Sequence, residues 1–121
     1  MSHSFIYQPK SIPELIKEAH QNAIEHGWWE EERTFGEQIA LMHSELSEAL
    51  EEYRNGQQPD EIYTSEEKTG FKPEGIPAEL ADVVIRIFDT CGKYGIDLEN
   101  AIIAKMKYNK TRPYKHGGKR I

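Results

Sequence analysis

Cysteine is nearly absent: Cys91 is the only one in 121 residues, so no internal disulfide can form. That usage fits a reducing compartment such as the cytoplasm, with Cys91 read as a small apolar helix residue. Long apolar runs are missing as well. The longest aliphatic stretch, Val83-Val84-Ile85, falls far short of the roughly 20 residues that cross a bilayer, and a soluble protein with no membrane partner is expected. Met1 to Phe5 contain no basic segment leading into an apolar core, so no secretory signal is expected. There is no internal repeat, glycine-rich phosphate loop, Cys/His zinc spacing or Ser/His/Asp arrangement, and no strand pattern stands out. Acidic residues are lacking from 105–121, which hold seven basic ones, whereas residues 1–104 hold all 21 acidic and eight basic residues. An acidic body with a basic end has two poles, one suited to metal cations and the other to phosphate. A solvated acidic surface with a frayed basic tail would give the same numbers.

What is present is helical periodicity with clear punctuation. Ser11-Ile12-Pro13-Glu14 reads as a helix start, with Ser11 as cap and Glu14 as its reciprocal partner, and apolar spacing predicts a first helix over 12–26. Trp28 and Trp29 follow at once. Two adjacent indoles cannot both face one core; packing is the ordinary fate of each, and Trp28 is carried as a candidate stacking platform for a ligand base. Thr34-Phe35-Gly36-Glu37 starts a second helix over 35–54, stopped by Asn55-Gly56. Residues 56–77, rich in proline, glycine and polar residues, read as a long loop, with Tyr63 and Phe71 as candidates to tack it to the body. A third helix, the most hydrophobic, runs from near Pro77 to Tyr94 and stops at Gly95. Asp97 caps a fourth, in which Leu98, Ala101, Ile102 and Met106 are expected to pack, and Pro113 ends it before a tail over 113–121 that is flexible by composition. Four helices predict an all-α, four-helix-bundle-like single domain over 1–121.

Two acidic pairs stand out on this frame. Glu45 and Glu48 lie three apart on the second helix, at the border of its apolar stripe, and Glu79 and Asp82 lie three apart on the third. A lone acidic pair reads much like a solvated face. Glu79, Asp82, Arg86 and Asp89 on the third helix carry more information, because Asp82 directly precedes the Val-Val-Ile run, and acids that close to a core usually have a cation partner. If the two pairs face each other, four carboxylates converge on what only cations hold cheaply. All-oxygen ligands favour Mg²⁺, or Mn²⁺, over zinc. A di-iron bundle requires Glu-x-x-His on two helices, and that motif is absent. Mg²⁺ is commonly completed by phosphate oxygens, so a phosphorylated substrate is expected. Lys105, Asn109 and Arg112 form one polar stripe on the fourth helix and are the candidate phosphate contacts, although a run of cations at a helix C-terminus is also favoured by the helix dipole. A metal-bound water helped by a carboxylate, with Glu48 as the catalytic candidate, could then attack a phosphoanhydride.

The order Glu45-x-x-Glu48, Glu79-x-x-Asp82, Lys105 and Asn109-x-x-Arg112 resembles the signature of the MazG-like, all-α nucleoside triphosphate pyrophosphohydrolases. Gly27-Trp28-Trp29, the stretch from His43 to Glu52 and the stretch from Lys72 to Asp82 look typical of its phage and bacterial branch, and the resemblance covers about residues 12–120. It implies Mg²⁺-dependent hydrolysis of a nucleoside triphosphate to monophosphate and pyrophosphate, with Glu45, Glu48, Glu79 and Asp82 as ligands. It also implies a homodimer or homotetramer whose sites form between helices of neighbouring chains. The gap between the acidic pairs, residues 49–78, is longer than in many members of that family. A phosphoribosyl-ATP pyrophosphatase activity is the close alternative, and a non-catalytic acidic adaptor or regulator is the alternative outside enzymes. A nucleic-acid role for the basic tail conflicts with the acidic body.

Overall fold

The computed structural model describes residues 7–68 and 70–114. It contains four helices, α1 (Ile12–Glu25), α2 (Phe35–Arg54), α3 (Ile76–Tyr94) and α4 (Leu98–Lys110), and one two-stranded sheet formed by β1 (Tyr63–Glu67) and β2 (Gly70–Glu74). The helix starts follow local chemistry. The Ser11 hydroxyl accepts from the Glu14 amide at 3.2 Å while the Glu14 carboxylate accepts from the Ser11 amide at 3.1 Å, so two otherwise unpaired N–H groups are satisfied. Thr34 and Asp97 cap α2 and α4 in the same manner, accepting from the Glu37 and Asn100 amides. Pro77 occupies the first turn of α3, where its missing N–H costs nothing, and Gly95 closes that helix in the left-handed conformation.

The most apolar helix, α3, is the centre of the arrangement and packs along both α1 and α2, while α4 rests on α1 alone among the helices with more than marginal contact. Among the described residues the fold is mostly helical, and no helix is long and apolar enough to cross a membrane. Residues 56–77 differ from the expected loop. Their centre is an antiparallel hairpin in which Tyr63 pairs with Glu74, Thr64 with Pro73, Ser65 with Lys72 and Glu66 with Phe71. Gly75 anchors it: a Cβ there would lie 2.3 Å from the Glu61 carbonyl oxygen, and φ is +105°, so only glycine lets the two ends of the hairpin close against the start of α3. Tyr63 does tack the segment to the body, but Phe71 is 73% exposed and does not.

The interior is small. Among the described residues Ala49, Ile76 and Cys91 are its buried apolar members, and Gln38 is completely buried with neither side-chain polar atom hydrogen-bonded. The Val83-Val84-Ile85 run is not a buried block, since Val84 and Ile85 remain 44% and 51% exposed. Each residue turns about 100° around a helix, and only α1 and α2 pack along α3, so the run outflanks its neighbours. Leu46 and Leu50 on α2 are likewise half-exposed or more. The expected packing of α4 is also only half met: Leu98 and Ile102 are partly covered, but Ala101 and Met106 are exposed. The chain thus carries more apolar helix surface than its own elements cover. Of the tail expected over 113–121, residues 115–121 lie outside the described residues.

Candidate functional site

The contact between α2 and α3 brings the acidic pairs together. Carboxylate oxygens of Glu45, Glu48 and Glu79 all lie within 4.8 Å of one another. Asp82, one turn further along α3, stands in the field of Glu45 and Glu48. Like charges at this range raise proton affinity. The Glu79 carboxyl is pushed up to about 7, first by burial, then by its hydrogen bond with Glu48 and the charges of Glu48, Asp82 and Glu45. Asp82 is raised for the same reasons, burial first and then Glu45, against the opposing pull of Arg86 and Lys72. Glu79 Oε2 is buried with no hydrogen-bond partner. An all-oxygen donor set, a convergence of carboxylates and an orphaned buried oxygen together fit a hard divalent cation.

Arg86, one turn beyond Asp82, donates from Nη2 to Glu45 Oε1 at 2.7 Å, a pair whose side chains are only 21% and 18% exposed. Its guanidinium also lies 4.7 Å from the Trp28 ring centre, and Arg33 lies 3.9 Å from the same ring. Trp28 therefore stacks on arginines within the chain. Its indole N–H is buried without a partner, and with Glu45, Asp82, Arg86 and Asp89 it lines a cleft of about 340 Å³ between α1 and α3.

A second polar cluster lies behind this one. Asp89 is buried, and its Oδ1 accepts from Trp29 Nε1 at 2.9 Å and lies 2.8 Å from His20 Nδ1. His20 and Trp29 meet edge to face. Gly92, one turn after Asp89, makes room for the histidine: a Cβ there would lie 2.6 Å from His20 Cβ. Asp89 thus has an imidazole and an indole N–H as partners, Arg86 serves Glu45, and Asp82, whose place beside the Val-Val-Ile run raised the expectation of a cation partner, is itself exposed. The sequence names none of these partners; the His20 and Trp29 contacts span 69 and 60 residues and leave no local signal.

The fourth-helix stripe is not brought to the acids within one chain. No hydrogen bond or ion pair joins Lys105, Asn109 or Arg112 to Glu45, Glu48, Glu79 or Asp82 among the described residues, and α4 has no more than marginal contact with α2 and α3. Lys105 instead approaches the ring of its neighbour Tyr108. The hairpin does reach the acidic side: Tyr63 donates its hydroxyl to Glu52 on α2 at 3.3 Å, and Lys72 lies within electrostatic range of Asp82. Comparison of the chain with family models, with curated proteins and with solved structures gave no match.

Proposed function

We propose that the chain is a Mg²⁺-dependent nucleotide pyrophosphohydrolase that converts a nucleoside or deoxynucleoside triphosphate to its monophosphate and pyrophosphate. The observation that carries this reading is the convergence of Glu45, Glu48 and Glu79, with Asp82 in their field, from two separate Glu-x-x-acid motifs on neighbouring helices. Those four residues would hold the metal. Bound Mg²⁺ supplies charge neutralisation for phosphate oxygens and a more acidic water.

The remaining chemistry belongs to the chain. Glu48, whose carboxylate lies within 4.8 Å of those of Glu45 and Glu79, is the candidate general base. Arg86 orients Glu45 through its 2.7 Å contact. Lys105, Asn109 and Arg112 serve the phosphate chain only if another copy of the protein delivers them, since their own α4 stands away from α2 and α3. A homo-oligomer follows from this reading, and the half-exposed rows of Leu46, Leu50, Val84 and Ile85 are the apolar surface it would cover. Purified protein incubated with each NTP and dNTP and Mg²⁺ should release pyrophosphate from at least one, and Glu48→Gln and Asp82→Asn should lose that turnover while keeping the helical fold. Folded protein that turns over none of them would refute the proposal.

A further inference from the structure

The β1–β2 hairpin stands where no element was expected, and its register decides what it offers. Residues paired across an antiparallel ladder share a face and successive residues alternate, so Tyr63, Ser65, Lys72 and Glu74 lie on one face and Thr64, Glu66, Phe71 and Pro73 on the other. The first face is the one turned toward the helices. Its Tyr63 reaches Glu52 on α2, and Ser65 and Glu74 are its partly covered members, whereas all four residues of the second face are exposed. The hairpin is also tied to the acidic site through the backbone. Gly75, pressed against the Glu61 carbonyl, accepts from the Glu79 amide at 3.1 Å, so the base of the hairpin and the first turn of α3 move as one.

On that inner face Lys72 is the cation. Its ammonium lies 3.5 Å from Glu74 Oε1, a distance that leaves the pair loose, and its side chain is 57% exposed. Its charge is felt at Asp82 on α3, alongside that of Arg86. Arg86 is committed to Glu45 and Trp28. Lys72 has no comparable tie. Among the described residues α4 makes no more than marginal contact with α2 and α3, so Lys72, exposed and only loosely paired, is a cation that the hairpin places toward the acidic side of α3.

We propose that the hairpin is a wall of the substrate site and that Lys72 contacts the phosphate chain of a nucleoside triphosphate held at the α2–α3 carboxylates. This rests on the pyrophosphohydrolase reading above. With the carboxylates occupied by a divalent cation, the Lys72 ammonium, a point charge on a flexible stem, would be free to meet the phosphate oxygens.

The test is calorimetric binding of the α,β-methylene analogues of dATP, dCTP, dGTP and dTTP in Mg²⁺, alongside steady-state kinetics on the nucleotide turned over best. Lys72→Ala should weaken binding of the analogue by about tenfold and raise KM with kcat nearly unchanged, and Lys72→Arg should recover most of the loss. Phe71→Ala, on the outer face of the same strand, should leave both unchanged. Mn²⁺ binding without nucleotide should not weaken in Lys72→Ala. Wild-type analogue binding matched by Lys72→Ala, or an equal loss in Phe71→Ala, would overturn the assignment while leaving the hydrolase reading intact. Wild-type protein that neither binds any analogue nor turns over any nucleotide would overturn both.

Discussion

Replacing Glu79 by Gln should make the metal-free protein more stable. The side chain sits in a cluster where its oxygens lie within 4.8 Å of those of Glu45 and Glu48, and its Oε2 is buried without a partner. Burial, the Glu48 hydrogen bond and the neighbouring carboxylates raise its pKa from the ordinary 4.5 to about 7. At about 1.4 kcal/mol per tenfold change in proton affinity, ionising Glu79 in the folded state costs at most roughly 3.5 kcal/mol. The cluster opens to solvent, which screens the repulsion, so ~1–2 kcal/mol is the working figure. The sign follows from the direction of the shift. An acid whose folded pKa is raised binds its proton more tightly in the folded state, so wild-type stability from this group is intact below pH 4.5 and is lost as pH rises to about 7. Glutamine keeps the shape and cannot ionise. In urea denaturation with EDTA, Glu79→Gln should therefore match wild type near pH 4.5 and exceed it by ~1–2 kcal/mol at pH 8. Added Mg²⁺ should reverse the order at pH 8 by stabilising wild type alone. A variant no more stable than wild type at pH 8, or a gain that does not change with pH, would refute the claim that repulsion among these carboxylates is stored in the fold.

Asp89→Ala leaves the Trp29 indole N–H and the His20 ring nitrogen without their acceptor, at ~1–3 kcal/mol for the two partly buried groups together, and should lower Tm by on the order of 10 °C, with Asp89→Asn milder because Oδ1 is kept; a loss under ~0.5 kcal/mol in chemical denaturation would show that the cluster is not structural. Gln38→Met replaces a fully buried amide with no hydrogen bonds by an apolar side chain of similar length and should raise stability by ~1–2 kcal/mol, whereas a fall would mean that the amide is paired in solution. Arg86→Gln removes the cation that holds Glu45 and should cost ~1–3 kcal/mol without metal, while the rise in Tm on adding Mg²⁺ should be larger than in wild type; an equal or smaller rise would contradict competition between Arg86 and the metal for Glu45.

The helix frame was legible because its signals are local. Ser11 with Glu14, Thr34, Pro77, Gly95 and Asp97 act within one turn of where they stand, and α1 to α4 begin, and α3 ends, within a residue or two of the positions they mark, while α4 stops at Lys110, three residues before Pro113. The hairpin was not legible for the converse reason. Glu67 and Gly70 are joined through Lys68 and Thr69, which lack the Asn-Gly signature of a tight hairpin, and Pro73 sits inside β2. What holds it is tertiary: Gly75 against Glu61, and Tyr63 on Glu52. The acidic pairs were legible as pairs, and their meeting follows from the packing of α2 on α3. The direction of the α4 stripe was not, because periodicity places Lys105, Asn109 and Arg112 on one face without saying which neighbour that face meets. For Trp28, packing is the ordinary expectation and a ligand-stacking role the candidate one; Arg33 and Arg86 lie against its ring, contacts of 5 and 58 residues' separation that periodicity does not reveal.

The central claim is that two acidic pairs, 34 residues apart in sequence from Glu45 to Glu79, form one divalent-metal centre. Titration of wild-type protein with Mn²⁺, followed by electron paramagnetic resonance of the free ion, tests it without reference to any substrate. Saturable uptake that is lost in both Glu48→Gln and Asp82→Asn, one variant on each helix, is the result predicted. Uptake unchanged in either variant, or absent from folded wild type, would contradict it.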